Sequence, residues 1–178
     1  MIRPILFYGV IAGLIVTFPM LLMIDGSGSS EHGVSSMLVG YLTMILALSV
    51  IFVAVKQYRD KHLGGVIKFL PALLMGLGIS VIAGLLYVTG WEIYLTLTDY
   101  AFMEAYTHAM IEAQKAKGLA GPELDRLVSD MAKMTEDYRN PLFRLPMTFV
   151  EIFPVGVMMS LIAAALMRNS RFMPARAA

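Results

Sequence analysis

The chain has 178 residues, of which 58% are hydrophobic and only 15% charged, and its formal net charge is +1. A soluble globular protein has roughly 25% charged residues, so this composition favours a membrane protein. The near-neutral charge leaves no basic face of the size that a nucleic acid partner requires, and we predict none. The lack of cysteine excludes disulfides, thiolate metal ligands and cysteine nucleophiles.

Four apolar runs are long enough to cross a bilayer as helices, because about 20 helical residues span the hydrocarbon core. In chain order the predicted spans are residues 5–24, 37–55, 70–94 and 142–167. The first run is longer than the apolar region of a usual signal peptide, so we expect a retained span. The predicted fold is an all-α membrane protein, a single membrane domain over residues 1–178 in which four transmembrane helices form a bundle.

Lysine and arginine near the ends of spans predict which connections stay in the cytoplasm. The connection between the second and third spans holds Lys56, Arg59, Lys61 and Lys68, whereas residues 25–36 hold no lysine or arginine. This asymmetry predicts a cytoplasmic second connection, and with four spans both termini are then cytoplasmic. The fourth span has as many basic residues near one end as near the other, so it does not favour either orientation.

Residues 97–140 form an insert between the third and fourth spans, extracytoplasmic in this orientation. Two sets of apolar residues in it recur at helical spacing. The first set is Phe102, Tyr106, Ala109, Met110 and Ala113, and the second is Leu124, Leu127, Met131, Met134 and Tyr138. Each stripe needs burial and the connection around Gly118 to Pro122 is short, so we predict an antiparallel amphipathic helical hairpin.

Small residues recur every four positions in three of the spans, a pattern that lets membrane helices approach closely. The faces are Ala72, Gly76, Ser80 and Gly84 in the third span, Gly9, Gly13 and Thr17 in the first, and Gly156, Ser160 and Ala164 in the fourth. They predict helix packing, either within one chain or between copies. Chance recurrence is the alternative, since glycine and alanine are common in membrane helices.

Glu151 is the strongest candidate for a functional residue, because it lies inside the fourth span, roughly 9 Å below the outer surface at 1.5 Å per residue. An ionisable group at such depth is costly and is a functional candidate by default. Pro154 cannot donate to the carbonyl of Val150, which leaves that acceptor free beside Glu151. Thr148 lies on the same helix face one turn earlier.

A second carboxylate, Glu92, lies near the outer end of the third span. We hypothesise that Glu151, Glu92, Thr148 and Pro154 line a polar cavity open to the outside. The structural alternatives stay open: Glu151 is protonated or paired with Arg144 or Arg139, and Glu92 is an interfacial residue whose carboxylate reaches water.

No catalytic residue, metal site or cofactor is predicted. Glu104, His108 and Glu112 share one helix face at spacings of four, which could suit a metal ion. They lie opposite the apolar stripe, however, so a solvated face explains them. The sequence also lacks a phosphate-binding glycine loop, a zinc-protease helix and a nucleophile elbow.

Several segments resemble a known family. The most specific are Lys56-Gln57-Tyr58-Arg59-Asp60 and Glu151-Ile152-Phe153-Pro154-Val155-Gly156, joined by Tyr8-Gly9, Gly64-Gly65 and Trp91-Glu92. Together they are similar to the bacterial membrane proteins of the domain of unknown function 4199 family, from about residue 5 to residue 167. The resemblance implies a four-helix fold in a bacterial inner (cytoplasmic) membrane and supplies no catalytic residues.

Three function classes remain open. The stripes and small-residue faces favour a non-enzymatic accessory or assembly subunit that binds membrane or extracytoplasmic partners. The alternative is a small carrier or proton-linked conduit that uses Glu151 and would need to oligomerise. A lipid-acting enzyme is the third, although no nucleophile–base pair is recognisable. The expected partners are the lipid bilayer and either another protein or further copies of the chain.

Overall fold

The computed structural model describes residues 1–22 and 34–174. Within these ranges the regular secondary structure is entirely helical, which confirms the predicted fold class. The helices are α1 (Ile2–Leu22), α2 (Val34–Leu48), α3 (Val50–His62), α4 (Phe69–Leu97), α5 (Ala101–Ala116), α6 (Pro122–Arg139) and α7 (Pro141–Met167).

Four helical segments are long and apolar enough to cross a membrane, as predicted: Ile2–Met20, Leu38–His62, Phe69–Leu97 and Pro141–Met167. Their bounds differ from the predicted ones at several ends, and residues 23 and 24 lie outside the described part of the chain. The largest difference is in the second span, which was expected to end at residue 55. The helix continues to His62 because Lys56 and Asp60 form an ion pair one turn apart and Arg59 is buried against the bundle.

The second span is two helices in succession, interrupted at Ser49. The Ser49 hydroxyl donates to the carbonyl oxygen of Leu46 at 2.6 Å, and its backbone N–H contacts Ile45 and Leu46 carbonyls at 2.9 and 3.3 Å. A serine that bonds back to the preceding turn competes with the regular helical ladder and bends the helix. This accounts for the boundary between α2 and α3.

Helix α4 lies between α1 and α7, and its contacts with α1 run in parallel order along the chain. A side chain placed on Gly9 would meet Ile82, and one on Gly13 would meet Leu86. Further along, Thr17 lies against Gly90, and its hydroxyl is 3.5 Å from the Leu86 carbonyl oxygen. The small-residue face of the first span therefore packs inside the chain.

The contacts between α4 and α7 run in antiparallel order. Gly76 faces Ser160, and Ser80 faces Gly156, so each glycine accommodates the serine of the other helix. The two serine hydroxyls are 3.4 Å apart, and each also donates to a carbonyl of its own helix. The predicted packing faces are confirmed, and of the two alternatives they serve packing within one chain.

Helices α5 and α6 pack against each other and against the end of α4. Leu95, Met103 and Tyr138 are buried together at this junction. The apolar stripe predicted for α6 is confirmed, since its five residues are partly or fully buried. The stripe predicted for α5 is wrong in part: Ala113 is exposed, and the buried residues are Met103 and Thr107. The reason is that Met103 packs with Leu95 at the end of α4, a contact that the spacing of apolar residues within α5 does not reveal.

Both ends of the described chain lie at the same end of the bundle. Arg3 and Gln57 line a common groove there, and Arg59 donates to the Phe172 carbonyl oxygen. Helices α5 and α6 occupy the opposite end, beyond Leu95. The bundle thus has two distinct ends, and the candidate residues belong to the end with α5 and α6.

Candidate functional site

Arg144 and Glu92 form a bidentate ion pair at the end of the bundle that carries α5 and α6. Arg144 Nε lies 2.7 Å from Glu92 Oε1, and Nη2 lies 2.6 Å from Oε2. Arg144 is only 2% exposed, although it sits in the first turns of a span. A guanidinium and a carboxylate that meet through two parallel bonds give a directional contact, so this pair sets how α7 lies against α4.

The same guanidinium also holds the end of α6. Its Nη1 donates to the carbonyl oxygens of Tyr138 at 2.9 Å and Arg139 at 3.4 Å. Carbonyls at the end of a helix lack partners within that helix, so a cation there satisfies them and complements the helix dipole. Arg144 further lies over the rings of Tyr100 and Tyr138, 5.2 and 5.8 Å from their centroids.

An aromatic cluster completes this junction. Trp91 Nε1 donates to the Tyr138 hydroxyl oxygen at 2.6 Å, and the Trp91 ring packs edge-on against Phe102 with 4.7 Å between centroids. Burial is the main influence on the Tyr138 phenol, and it raises its pKa. We call Glu92, Arg144, Trp91 and Tyr138 the junction network, because together they join α4, α6 and α7.

Glu151 lies elsewhere, on the outer side of α7. Its side chain is exposed in the bundle, and its Oε2 accepts a hydrogen bond from the buried Tyr87 hydroxyl at 3.1 Å. The α7 residues around it are apolar and exposed, with Val150 62% and Met147 42% accessible. Glu151 therefore presents a carboxyl group on an apolar surface, ten residues after the start of the membrane-spanning helix Pro141–Met167.

The four candidates divide between these two places. Thr148 is buried and donates to the Arg144 carbonyl oxygen at 3.0 Å, so it belongs with Glu92 to the surroundings of Arg144. Pro154 is exposed, like Glu151. The structure thus brings Glu92 close to Arg144 and Glu151 close to Tyr87. A common cavity lined by all four stays a prediction.

The two arginines considered as partners of Glu151 contact other carboxylates. Arg144 pairs with Glu92, and Arg139 Nη2 lies 3.8 Å from Glu104 Oε1, with both side chains largely exposed. Glu151 receives its hydrogen bond from a neutral phenol instead. Among residues 1–22 and 34–174, no group of three or more histidine and acidic residues is arranged to hold a metal ion.

A cavity of about 360 Å³ lies beside the junction network, between the end of α4 and the helices α5 and α6. Charged, aromatic and apolar side chains line it: Leu95, Asp99, Tyr100, Met103, Glu104, Thr135, Tyr138 and Arg139. Asp99 and Tyr100 have φ angles of 50° and 58°, in the left-handed region. Such residues cost about 1 kcal/mol or more each, and here they let the chain turn from α4 into α5.

A second buried arginine lies at the opposite end of the bundle. Arg59 Nη1 donates to the carbonyl oxygens of Phe172 at 3.0 Å and Met167 at 3.4 Å, and its Nη2 donates to that of Met173. Its Nε contacts Asp60 Oδ1 at 2.8 Å. Arg59 therefore holds the segment after α7 against α3, which is a structural role.

Comparison with known proteins adds one result. A model of the family described as "Protein of unknown function (DUF4199)" matches residues 7–169. The chain belongs to this family. The match covers nearly the whole chain and confirms the resemblance drawn from the sequence motifs. No curated protein and no solved structure matches the chain.

Sequence reasoning missed the partners of these residues. Arg144 and Glu92 both lie near the outer ends of neighbouring predicted spans, and their equal depth was a usable signal for an interfacial pair. Arg59 gave no such signal: it was used as a topology determinant and as part of a family motif, and its main-chain acceptors are at least 108 residues away. Tyr87, which donates to Glu151, had no predicted role.

Proposed function

We propose that this protein is a non-enzymatic accessory or assembly subunit of the bacterial inner membrane, which binds the transmembrane segment of a partner protein. The observation that carries the proposal is the position of Glu151. Its carboxyl group lies on the exposed side of α7, inside a segment long and apolar enough to span a bilayer. Ionisable groups at membrane depth normally face other protein or water.

Exposure of this surface to lipid alone would be energetically unfavourable. Tyr87 provides one hydrogen bond to Glu151, and the exposed neighbours Met147 and Val150 provide only apolar contact. A carboxyl oxygen without a partner in a hydrocarbon environment costs several kcal/mol, of the order of 2–7. A partner helix that carries a hydrogen-bond donor at this depth removes that cost and covers the apolar rim.

The surface of α5 and α6 supports partner binding less well. The most buried side chains of this region, Met103 and Tyr138, pack with Leu95 at the junction. The stripe residues of α6 are likewise partly buried in the chain. Because these apolar side chains already cover each other, they leave little apolar surface for a partner. We therefore assign partner contact to the surface around Glu151 and not to the stripes of α5 and α6.

The alternative of a proton-linked conduit has less support from the packing. The seam between α4 and α7 is close, because Gly76 and Gly156 each admit a serine from the other helix. The two seam serines, Ser80 and Ser160, donate to carbonyls of their own helices. A conduit within one chain requires a line of polar groups that continues from Glu151. The hydroxyls of Ser80 and Ser160 in the described seam already bond to main-chain carbonyls, so they do not favour such a line.

The proposed orientation has both termini in the cytoplasm. The bundle end that carries both ends of the described chain also carries the last two turns of α3, with Lys56 and Lys61, and the α3–α4 connection, with Lys68. Basic residues in short connections favour the cytoplasmic side. Accessibility of single cysteines, introduced at Lys61 and at Lys115 in a chain that has none, tests the assignment. A membrane-impermeant thiol reagent added to intact cells should label only the cysteine at 115.

Site-specific photocrosslinking in cells tests the partner. A photoreactive residue at Val150, beside Glu151, should give a discrete adduct with another membrane protein. The adduct should disappear in Glu151→Leu, which removes the hydrogen-bond acceptor and keeps a side chain of similar size. The matched control is the same residue at Leu14, an exposed position of α1 that is 59% accessible.

An adduct that survives Glu151→Leu unchanged would show that the carboxyl group does not recognise the partner. An adduct of the chain with itself would replace the partner protein by a second copy. Dissipation of a pH gradient by the purified protein in vesicles, abolished in Glu151→Gln, would support the conduit and overturn the accessory role.

A further inference from the structure

A groove of about 950 Å³ opens at the end of the bundle opposite α5 and α6. It lies between the first turns of α1 and the last turns of α3, where the membrane-spanning segments end. The polar side chains that line it are Arg3, Tyr8, Gln57, Tyr58 and His62. Each of these side chains carries at least one hydrogen-bond donor, and Arg3 is always a cation.

No carboxylate lines this groove in the described part of the chain. The nearest one in sequence, Asp60, is engaged by Lys56 and by Arg59, the latter at 2.8 Å. Arg3 forms no ion pair within residues 1–22 and 34–174, so its charge remains available. The groove is therefore rich in donors, carries a free cation and is suited to an anion.

The other wall of the groove is apolar and points along the membrane. Ile2 and Phe7 line it and are 73% and 62% exposed. Phe7 is followed on the same face of α1 by Val10 and Leu14, which are also exposed. A continuous apolar track thus leaves the groove and runs along the outside of the first span.

We propose that this groove binds an anionic phospholipid. The phosphate contacts the guanidinium of Arg3 and the donors of Gln57, Tyr58 and His62, while an acyl chain follows Phe7, Val10 and Leu14. Guanidinium and phosphate match in geometry through parallel hydrogen bonds. The aromatic contact between Tyr58 and His62, with 5.2 Å between ring centroids, holds two of the donors in place.

Two features of the groove favour an anionic lipid over a free anion and over a zwitterionic lipid. A free phosphate ion would fill a small part of a groove of about 950 Å³ and would leave the apolar track uncovered. A zwitterionic lipid brings a cationic amine, and no lining carboxylate is present to receive it. The groove therefore favours a lipid whose headgroup is negative overall, such as phosphatidylglycerol. This inference is independent of the partner proposed for Glu151.

The test is native mass spectrometry of the purified full-length protein in a non-ionic detergent, titrated with phosphatidylglycerol or with phosphatidylcholine of the same acyl chains. Wild type should bind phosphatidylglycerol more tightly. Arg3→Gln should weaken that binding about tenfold or more, as expected for the loss of a charge-assisted hydrogen bond. Phe7→Ser should weaken it as well, since it interrupts the apolar track.

The matched control is Lys61→Gln, an exposed cation one residue from His62 that does not line the groove. It should change binding less than about twofold. Equal binding of the two lipids, or equal loss in the Arg3 and Lys61 variants, would overturn the proposal. Displacement of the lipid by inorganic phosphate at similar concentrations would assign the site to free anions and reject the lipid. The circular dichroism spectrum of each variant should match that of wild type, which controls for folding.

Discussion

Arg144 and Glu92 are 52 residues apart in the chain and meet through two hydrogen bonds of 2.7 and 2.6 Å. Everything between them, including α5 and α6, forms a loop that this pair closes. Because Arg144 also donates to the Tyr138 carbonyl oxygen, the pair fixes the end of α6 to the spans as well. Arg144 thus ties both α7 and the end of α6 to α4.

Replacing Arg144 by glutamine should destabilise the folded protein by about 3–5 kcal/mol, because Glu92 loses its partner and the end of α6 loses its cap. Thermal unfolding in a single detergent, followed by circular dichroism, measures the loss. The double variant with Glu92→Gln should lose less than the two single variants together, since the pair acts as a unit.

Arg139→Gln is the matched control for that prediction. Arg139 is largely exposed and lies 3.8 Å from Glu104, so its removal should cost less than about 1 kcal/mol. Equal losses of stability in Arg139→Gln and Arg144→Gln would show that the buried ion pair contributes no more to stability than the exposed one.

Arg59→Gln should release the segment after α7. The variant loses charge-assisted hydrogen bonds to the carbonyls of Met167, Phe172 and Met173, each worth about 1.5–3 kcal/mol. Hydrogen exchange of residues 168–174 should become faster while that of α5 stays unchanged. Lys61→Gln, two positions later and exposed, should leave both regions as in wild type. If the amides of residues 168–174 exchange as slowly in Arg59→Gln as in wild type, the guanidinium does not hold this segment.

Gly76→Ala should disrupt the seam between α4 and α7. The added Cβ would lie 2.6 Å from Ser160 Oγ and 2.8 Å from Ser160 Cβ, so the helices must move apart. The expected cost is about 1–3 kcal/mol, typical of overpacking, and thermal unfolding measures it. Gly40→Ala is the control, because nothing lies within 4 Å of a Cβ there. Equal melting temperatures for the two variants would argue against the seam.

Alkaline pH should loosen the junction network through Tyr138. Burial raises the pKa of its phenol above the ordinary value of 10.0. Because the folded pKa is the higher one, this group's contribution to stability is complete below pH 10.0 and is lost as the pH rises through the folded pKa. Trp91, the only tryptophan of the chain, donates to Tyr138 and reports its ionisation by fluorescence.

Fluorescence of the folded protein should therefore fall at a higher pH than that of the unfolded chain, where tyrosine titrates normally. Tyr138→Phe should remove most of this decrease. A decrease at the same pH in folded and unfolded protein would contradict the burial of the phenol.

Much of the fold follows from local patterns in the sequence. The four spans were predicted because apolar length alone decides whether a helix can cross a bilayer. The stripe of α6, from Leu124 to Tyr138, was predicted because one side of that helix faces water and the sequence records the difference. Gly76 and Gly156 were placed on packing faces because close helix contact in a membrane needs small residues.

Only the tertiary structure decided how each span is rotated and which side chains meet. Helices α4 and α7 are mostly apolar, so hydrophobic periodicity does not distinguish their packed side from their lipid-facing side, and the small-residue faces do not say which helix meets which. The sequence therefore determined that Glu151 and Glu92 lie in spans, but not that Glu151 points outward or that Glu92 meets Arg144. Those outcomes depend on contacts between residues distant in the chain. Such contacts are determined only when whole helices pack against each other.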